Sequence, residues 1–218
     1  MSATLQVEQV TVGLLEENCW IVADPAARAC ILIDPGDEAD RILAAMDKTG
    51  CKLEAIWLTH AHFDHVGGIA GVRREHDVPI YLHPADATLY SVADRSAERW
   101  GLEIEQPPDF DKTMAAGDVM SVGSLRFKVL HVPGHAPGHV AFLGHGLVFG
   151  GDCLFAGSIG RTDIPFASSM DLMKSLEQFA VLPPETVVHA GHGLSTTIAR
   201  ELATNPFLTG VARPLSSS

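Results

Sequence analysis

The densest chemistry in this sequence lies at Thr59-His60-Ala61-His62-Phe63-Asp64-His65, where His60, His62, Asp64 and His65 can all ligate a metal. No one face of a regular helix or strand can aim all four at one place, but a turn following a strand can splay them around one or two points. Ala55–Leu58 is expected to be a short apolar strand running into this segment, and ligand sites favour strand ends. Zinc and similar ions take imidazole nitrogen and carboxylate oxygen at about 2.0–2.2 Å. His60 and His62 form a natural pair for one ion, while Asp64 and His65 suit a neighbouring one.

Three further islands repeat the device. Val132-Pro133-Gly134-His135-Ala136-Pro137-Gly138 sets a histidine in a tight Gly/Pro loop, and Phe149-Gly150-Gly151-Asp152 sets an aspartate after an apolar strand. His189-Ala190-Gly191-His192-Gly193 places another histidine between glycines. Each candidate ligand therefore sits at a strand end beside small residues, which allow close backbone approach. That is the arrangement expected around a shared cleft. Other residues have blander roles. His131 and His139 are expected to satisfy local backbone, His83 to be structural, and His76, His145 and His189 to sit at the surface or in packing. Cys153 is a small buried filler, and Asp34 a partner behind a ligand histidine. Arg161 either meets a substrate carboxylate or pairs with Asp163.

The elements that must position these groups are short. Strands are expected at Leu5–Val12, Cys19–Ala23, Cys30–Ile33, Ile80–Leu82, Val119–Val122, Leu125–His131, His139–Leu143, Leu147–Phe149 and Thr186–His189. Helices are expected over Glu38–Thr49, where Ala39, Ile42, Leu43 and Met46 fall at helical spacing before Gly50. Further helices are expected from about Gly68 to His76, after Pro84, over Ser169–Ala180 with Ser168 as N-cap, and from Ser195 to about Ala203. Ala93–Phe110 reads as an irregular connection, and Ser216–Ser218 as a frayed tail. Strands interleaved with helices predict helices covering packed sheets, a layered α/β architecture.

Composition narrows the class. The 218 residues are 46% hydrophobic and 19% charged, values of a folded domain, and the length suits one domain spanning 1–218. With Lys+Arg 15 against Asp+Glu 27 the net charge is −12, which disfavours nucleic acid as a partner. No apolar run reaches the roughly 20 residues that span a bilayer, and no signal peptide opens the chain, so no membrane role is expected. Cys19, Cys30, Cys51 and Cys153 form no C-x-x-C pair and read as reduced thiols of a cytoplasmic protein. The sequence contains 11 histidines, a surplus that a metal centre would use.

The four islands, in this order, resemble the metallo-β-lactamase-fold hydrolase superfamily, whose signature is H-x-H-x-D-H. Within it the chain is similar to the glyoxalase II-like (hydroxyacylglutathione hydrolase-like) thioesterases, especially their short single-domain bacterial members. Asn18-Cys19, Asp34-Pro35-Gly36, Gly151-Asp152-Cys153-Leu154-Phe155, Gly160-Arg161-Thr162-Asp163 and Asn205-Pro206-Phe207-Leu208 carry the likeness across nearly the whole chain. The resemblance implies a four-layer αββα sandwich. It places a first metal on His60, His62 and His135, a second on Asp64, His65 and His192, and Asp152 between them. Two divalent ions, zinc above all, with iron or manganese accepted by the same donors, would hold a bridging hydroxide. That hydroxide attacks a thioester such as S-D-lactoylglutathione, and the metal takes the developing oxyanion. Asp64 and Asp152 are the catalytic carboxylates, Asp64 being placed to receive a proton when only the first site is filled. Arg161 is the candidate substrate contact.

Two departures bear on the substrate. Only a short helix and tail are expected after Gly193, where longer glyoxalase II enzymes carry a glutathione-binding helical domain, and Thr209 stands where those relatives tend to have a basic residue. Persulfide dioxygenases share the fold and the Gly-Arg-Thr-Asp motif, with a single iron at positions matching His60, His135 and Asp152. A lactamase or esterase of the same fold is a further alternative.

Overall fold

The computed structural model describes residues 5–215; Met1–Thr4 and the Ser216–Ser218 tail lie outside the described residues. Two six-stranded sheets face each other. The first runs β1 (Gln6–Val12), β2 (Glu17–Asp24), β3 (Ala29–Ile33), β4 (Lys52–Trp57), β5 (Ile80–Leu82) and β6 (Lys112–Thr113). The second contains β7 (Val119–Val122), β8 (Leu125–His131), β9 (Val140–Gly144) and β10 (Leu147–Gly151). Beyond a two-stranded ribbon of β11 (Leu154–Phe155) and β12 (Ser158–Ile159), β13 (Val187–Ala190) and β14 (Thr196–Thr197) complete the second sheet, in the order β14-β13-β10-β9-β8-β7.

Strand periodicity explains the layering. Side chains alternate faces along a strand, so Cys19, Ile21 and Ala23 of β2 enter an outer core while Trp20 and Val22 enter the core between the sheets. In the second sheet, Val140 and Phe142 of β9 point to that shared core and Ala141 to the opposite outer one. Helices cover both outer faces. On the first sheet lie α1 (Ala39–Lys48) and α3 (Ile69–Glu75), with Ile42, Met46, Ile69 and Val72 buried. On the second lie α6 (Ser169–Ala180) and α7 (Ile198–Thr204), with Leu172, Leu176, Phe179 and Ile198 buried. The result is the four-layer αββα sandwich that the resemblance implies. The Ser168 hydroxyl accepts the Asp171 N–H and caps α6 as expected. Among the described residues, no helix is long and apolar enough to cross a membrane.

Strand direction gathers the candidate ligands. β3 and β4 are parallel, so Asp34 and His60 emerge at the same end. In the second sheet β10 and β13 are parallel, and β8 is antiparallel to β9, which is antiparallel to β10. The chain therefore leaves β8, β10 and β13 at one edge, where His135, Asp152 and His192 follow.

Two helical turns depart from expectation. α2 (Phe63–Val66) forms inside the histidine-rich segment itself. The connection after β5 contains α4 (Ala87–Tyr90), in the place of the helix expected after Pro84, and then α5 (Ala93–Glu98), where an irregular stretch was expected. Ala93 and Ala97 of α5 are fully buried, so packing holds a helix that its polar sequence does not announce.

Candidate metal centre and substrate cleft

The side chains gather into two clusters. In the first, one ring nitrogen each of His60, His62 and His135 lie within 4.8 Å of one another, and His62 Nδ1 stands 2.8 Å from His135 Nε2. Atoms of Asp64, His65 and His192 satisfy the same 4.8 Å limit in the second. Asp152 lies between them: Oδ2 is 3.4 Å from His135 Nε2 and 3.5 Å from His192 Nε2, and Oδ1 is 3.5 Å from His65 Nε2. Every sequence-predicted ligand is thus brought to one place.

The opposite edge of four of the five imidazoles is fixed, while His62 turns its Nδ1 into the cluster toward His135. Asp34 accepts the Thr59 N–H at 2.7 Å and the Thr59 hydroxyl at 2.6 Å, which leaves the Thr59 oxygen to accept from His60 Nδ1 at 3.0 Å. His65 Nδ1 meets Asp34 at 3.1 Å, His135 Nδ1 donates to the Arg161 carbonyl at 2.9 Å, and His192 Nδ1 donates to the Leu15 carbonyl at 3.0 Å. A proton held on Nδ1 of these four rings aims each Nε2 into the site as the ligand nitrogen. Correspondingly, His60 Nε2, His65 Nε2 and Asp152 Oδ1 are buried with no hydrogen-bond partner. Buried polar atoms are nearly always paired, so orphaned lone pairs converging on one spot fit a cationic occupant.

Electrostatics agrees. Burial and four neighbouring imidazoles push His60 well below the ordinary histidine value. Burial and then His135 lower His62 to about 3, and burial lowers His135. These three are held neutral, the ligating form. Burial works to raise Asp152, but His65 and His192 outweigh it and keep the carboxyl ionised.

Glycines make the close approach possible. A Cβ on Gly191 would collide with Asp152 Oδ1, and Gly151, at φ +48°, leaves no room beside Thr59 and His139. Across the sheets, Asn18 Nδ2 donates to the carbonyls of Ala190 at 3.2 Å and Gly193 at 2.9 Å, tying β2 to the loop that carries His192.

Two supporting groups, Asp86 and Glu17, escape sequence reasoning, and a third, His139, reaches further along the chain than expected. Asp86 is fully buried and accepts the Gly138 N–H at 2.5 Å and the Ala61 N–H at 3.1 Å, clamping both loops that carry the first cluster. His139 Nε2 accepts the Asp152 N–H at 2.9 Å, a backbone contact as expected, though 13 residues away. Glu17 is buried 3.7 Å from His65 with its carboxyl raised by desolvation. No motif around Asp86 or Glu17 marks either residue in the sequence. His83 stacks on His131 at 4.4 Å, His189 packs on Trp20 at 4.3 Å, and Cys153 is fully buried, each in the structural role expected.

Above the clusters opens a cleft of about 450 Å³ walled by Leu89, Val92, Trp100, Phe155, Ile164 and Phe166. Arg161 lines it, makes a bidentate pair with Asp163 at 2.9 and 3.0 Å, and stacks 5.6 Å from the Trp100 ring centre. Of the two roles weighed for Arg161, the ion pair with Asp163 is the one formed.

Fold and ligand geometry together define a metal-dependent hydrolase scaffold. Residues 12–192 match the Metallo-beta-lactamase superfamily, and the chain belongs to that superfamily. It is 34% identical over 214 residues to the hydroxyacylglutathione hydrolase GloC of Haemophilus influenzae, covering 94% of this chain and 98% of that protein. Among solved structures it resembles TTHA1623 in a di-iron-bound form, with a TM-score of 0.85 and 48% identity over 92% of this chain and all of that one. It also resembles the BLEG-1 B3 metallo-beta-lactamase, with a TM-score of 0.87 and 32% identity over 94% of this chain and 100% of that one. Two clusters sharing one carboxylate, beside a relative solved with two irons, support a binuclear metal site.

Proposed function

We propose that this protein is a cytoplasmic thioesterase of the glyoxalase II type, hydrolysing a thioester such as S-D-lactoylglutathione. His60, His62, His135 and Asp152 would hold one divalent ion, and Asp64, His65, His192 and Asp152 the other, with zinc as the expected occupant. The observation carrying this reading is the pair of clusters joined by Asp152 beneath an apolar cleft. When bound, two such ions acidify a water and polarise a carbonyl.

The chain's own contribution is orientation and exclusion of water. The Arg161 and Leu15 carbonyls and the Thr59 hydroxyl set the ring tautomers, and the Asp152 N–H is held by His139. Apolar walls desolvate the reacting carbonyl, which strengthens every charge interaction around it. Besides the ligands, the ionisable side chains lining the cleft are arginines, which do not give up a proton near neutrality. That favours a leaving group needing no general acid, as a thiolate does. The 34% identity to GloC points the same way.

Assay of S-D-lactoylglutathione hydrolysis on protein with quantified metal tests the proposal. Turnover with two ions per chain is expected. One iron per chain, with oxygen uptake on glutathione persulfide and no thioester turnover, would overturn it in favour of the dioxygenase.

A further inference from the structure

The chain is strongly acidic, yet its cleft is not. The carboxylates lining it are Asp64 and Asp152, both in the metal clusters, whereas Arg95, Arg99 and Arg161 also line it. Arg161 is matched by Asp163; elsewhere Arg41, Arg73 and Arg74 engage carboxylates, while Arg28, Arg200 and Arg213 stand outside the cleft without an ion pair among the described residues. Among the described residues, the Arg95 and Arg99 guanidiniums take part in no ion pair or hydrogen bond. Both are exposed and stand four residues apart on α5 and the turn that caps it, the spacing that puts two side chains on one face. Trp100, 53% exposed, follows directly; it packs 6.3 Å from Phe63 and under Arg161, so an apolar path leads from the clusters to the two free cations.

Free like charges side by side, in a protein with carboxylates to spare, point to a ligand that supplies the counter-charge. We propose that Arg95 and Arg99 form an anion subsite at the cleft mouth, selecting thioesters whose carrier arm bears a carboxylate or phosphate beyond an apolar span. The inference rests on the thioesterase reading and deepens it. The subsite belongs to the helical excursion between β5 and β6, which also supplies Leu89, Val92 and Trp100 to the wall. Guanidinium suits both anions, since its planar fork binds either bidentately.

One acyl group carried on glutathione, on coenzyme A and on neutral N-acetylcysteamine separates the possibilities. In metal-loaded protein, Arg95→Ala/Arg99→Ala is expected to lower kcat/KM for an anionic carrier relative to the neutral one by at least about tenfold, or about 1.4 kcal/mol. The loss should fall in KM, and Arg95→Lys/Arg99→Lys should recover most of it. The carrier whose preference collapses identifies carboxylate or phosphate as the group held. Equal losses on charged and neutral carriers would overturn the subsite. Calorimetric binding of S-methylglutathione and of coenzyme A, neither of which contains a thioester, gives a second readout. Binding that weakens both in the double alanine variant and on raising salt from about 0.05 to about 0.5 M supports the subsite even if no thioester is cleaved. Binding indifferent to the variant, or absent at millimolar ligand, refutes it whatever the hydrolase assay shows.

Discussion

The two clusters share Asp152 but are built on different principles. The first is three imidazoles, all held neutral chiefly by burial, with a hydroxyl behind His60, a main-chain carbonyl behind His135 and Asp86 clamping the loops. Carboxylates dominate the second: Asp64 within it, and Asp34 and Glu17 behind His65. There the opposite balance holds: burial works to lower His65, but Asp152 and the hydrogen bonds His65 donates to carboxylates raise it well above the ordinary value. An all-imidazole cluster depends on loop geometry, because its charge does little to attract a cation before the rings are aligned. The carboxylate-rich cluster draws a cation by charge but must first displace a proton. Exposure follows the same division, His60 being fully buried and His192 partly open to the cleft.

The shared carboxylate offers the harshest way to break this contrast. Asp152→Ala removes the one group touching both clusters and is expected to lose both ions, with activity down by at least about a thousandfold, roughly 4 kcal/mol of transition-state stabilisation. Metal analysis beside thioester assay checks it. Retention of two ions per chain would show that the clusters are independent.

His135→Ala and His192→Ala come next, each expected to leave about one ion per chain and activity about a hundredfold down. The comparison requires different survivors: the carboxylate-rich cluster in the first variant, the imidazole cluster in the second. Cobalt substitution reads this directly, because donor type and geometry set its visible spectrum. Identical spectra from both variants would erase the distinction.

Supporting residues give a milder and more selective effect. Loss of an outer partner costs about 10–100-fold in metal affinity. Asp86→Ala should impose this on the imidazole cluster alone and also leave the Ala61 and Gly138 N–H groups unsatisfied, at about 1–3 kcal/mol each, visible as a lowered Tm. Asp34→Ala should weaken both clusters, because Asp34 contacts His65 directly and reaches His60 through Thr59. Equal weakening of the two clusters by Asp86→Ala would break the division drawn here.

That Asp34 was expected from sequence while Asp86 was not has a physical cause. Ligand identity is local chemistry: His60, His62, Asp64 and His65 occupy one short segment, and His135, Asp152 and His192 each sit among glycines that a close approach requires. Strand alternation likewise exposes both faces of β2, β8 and β9 to a sequence reader. Asp34 stands in a recognisable Asp-Pro-Gly turn. Asp86, by contrast, acts through backbone N–H groups 25 and 52 residues away, contacts created by the sandwich and written nowhere in its neighbours. Glu17 is hidden the same way: it precedes the strand expected from Cys19, opens β2 in the structure, and meets the second cluster only in three dimensions. α5 escaped because two buried alanines, rather than an apolar stripe, hold it in place.

The remaining contrast sets His189, on the strand before the His192 loop, against Asp86, which clamps the loops of the first cluster. Burial lowers His189, on β13, to about 4, whereas burial raises Asp86 to about 6 against opposing hydrogen bonds from Gly138 and Ala61. For His189 the unfolded chain takes up a proton first as pH falls below about 6.5, so stability is lost between there and about 4, by up to about 3 kcal/mol. Asp86 has the opposite sign: its native form keeps a proton that the unfolded chain has released, so its contribution is largest below 3.8 and is lost as pH rises through about 6. The two slopes oppose each other between about pH 4 and 6, and a stability profile of the wild-type protein hides both. His189→Phe keeps an aromatic ring against Trp20 and Phe149 but cannot titrate. Denaturant unfolding across this range should then show the variant gaining on wild type as pH falls, with no gain above pH 7. A difference that does not change with pH would mean that His189 contributes packing alone, and that the acid response of the β13 side lies in the ligands themselves.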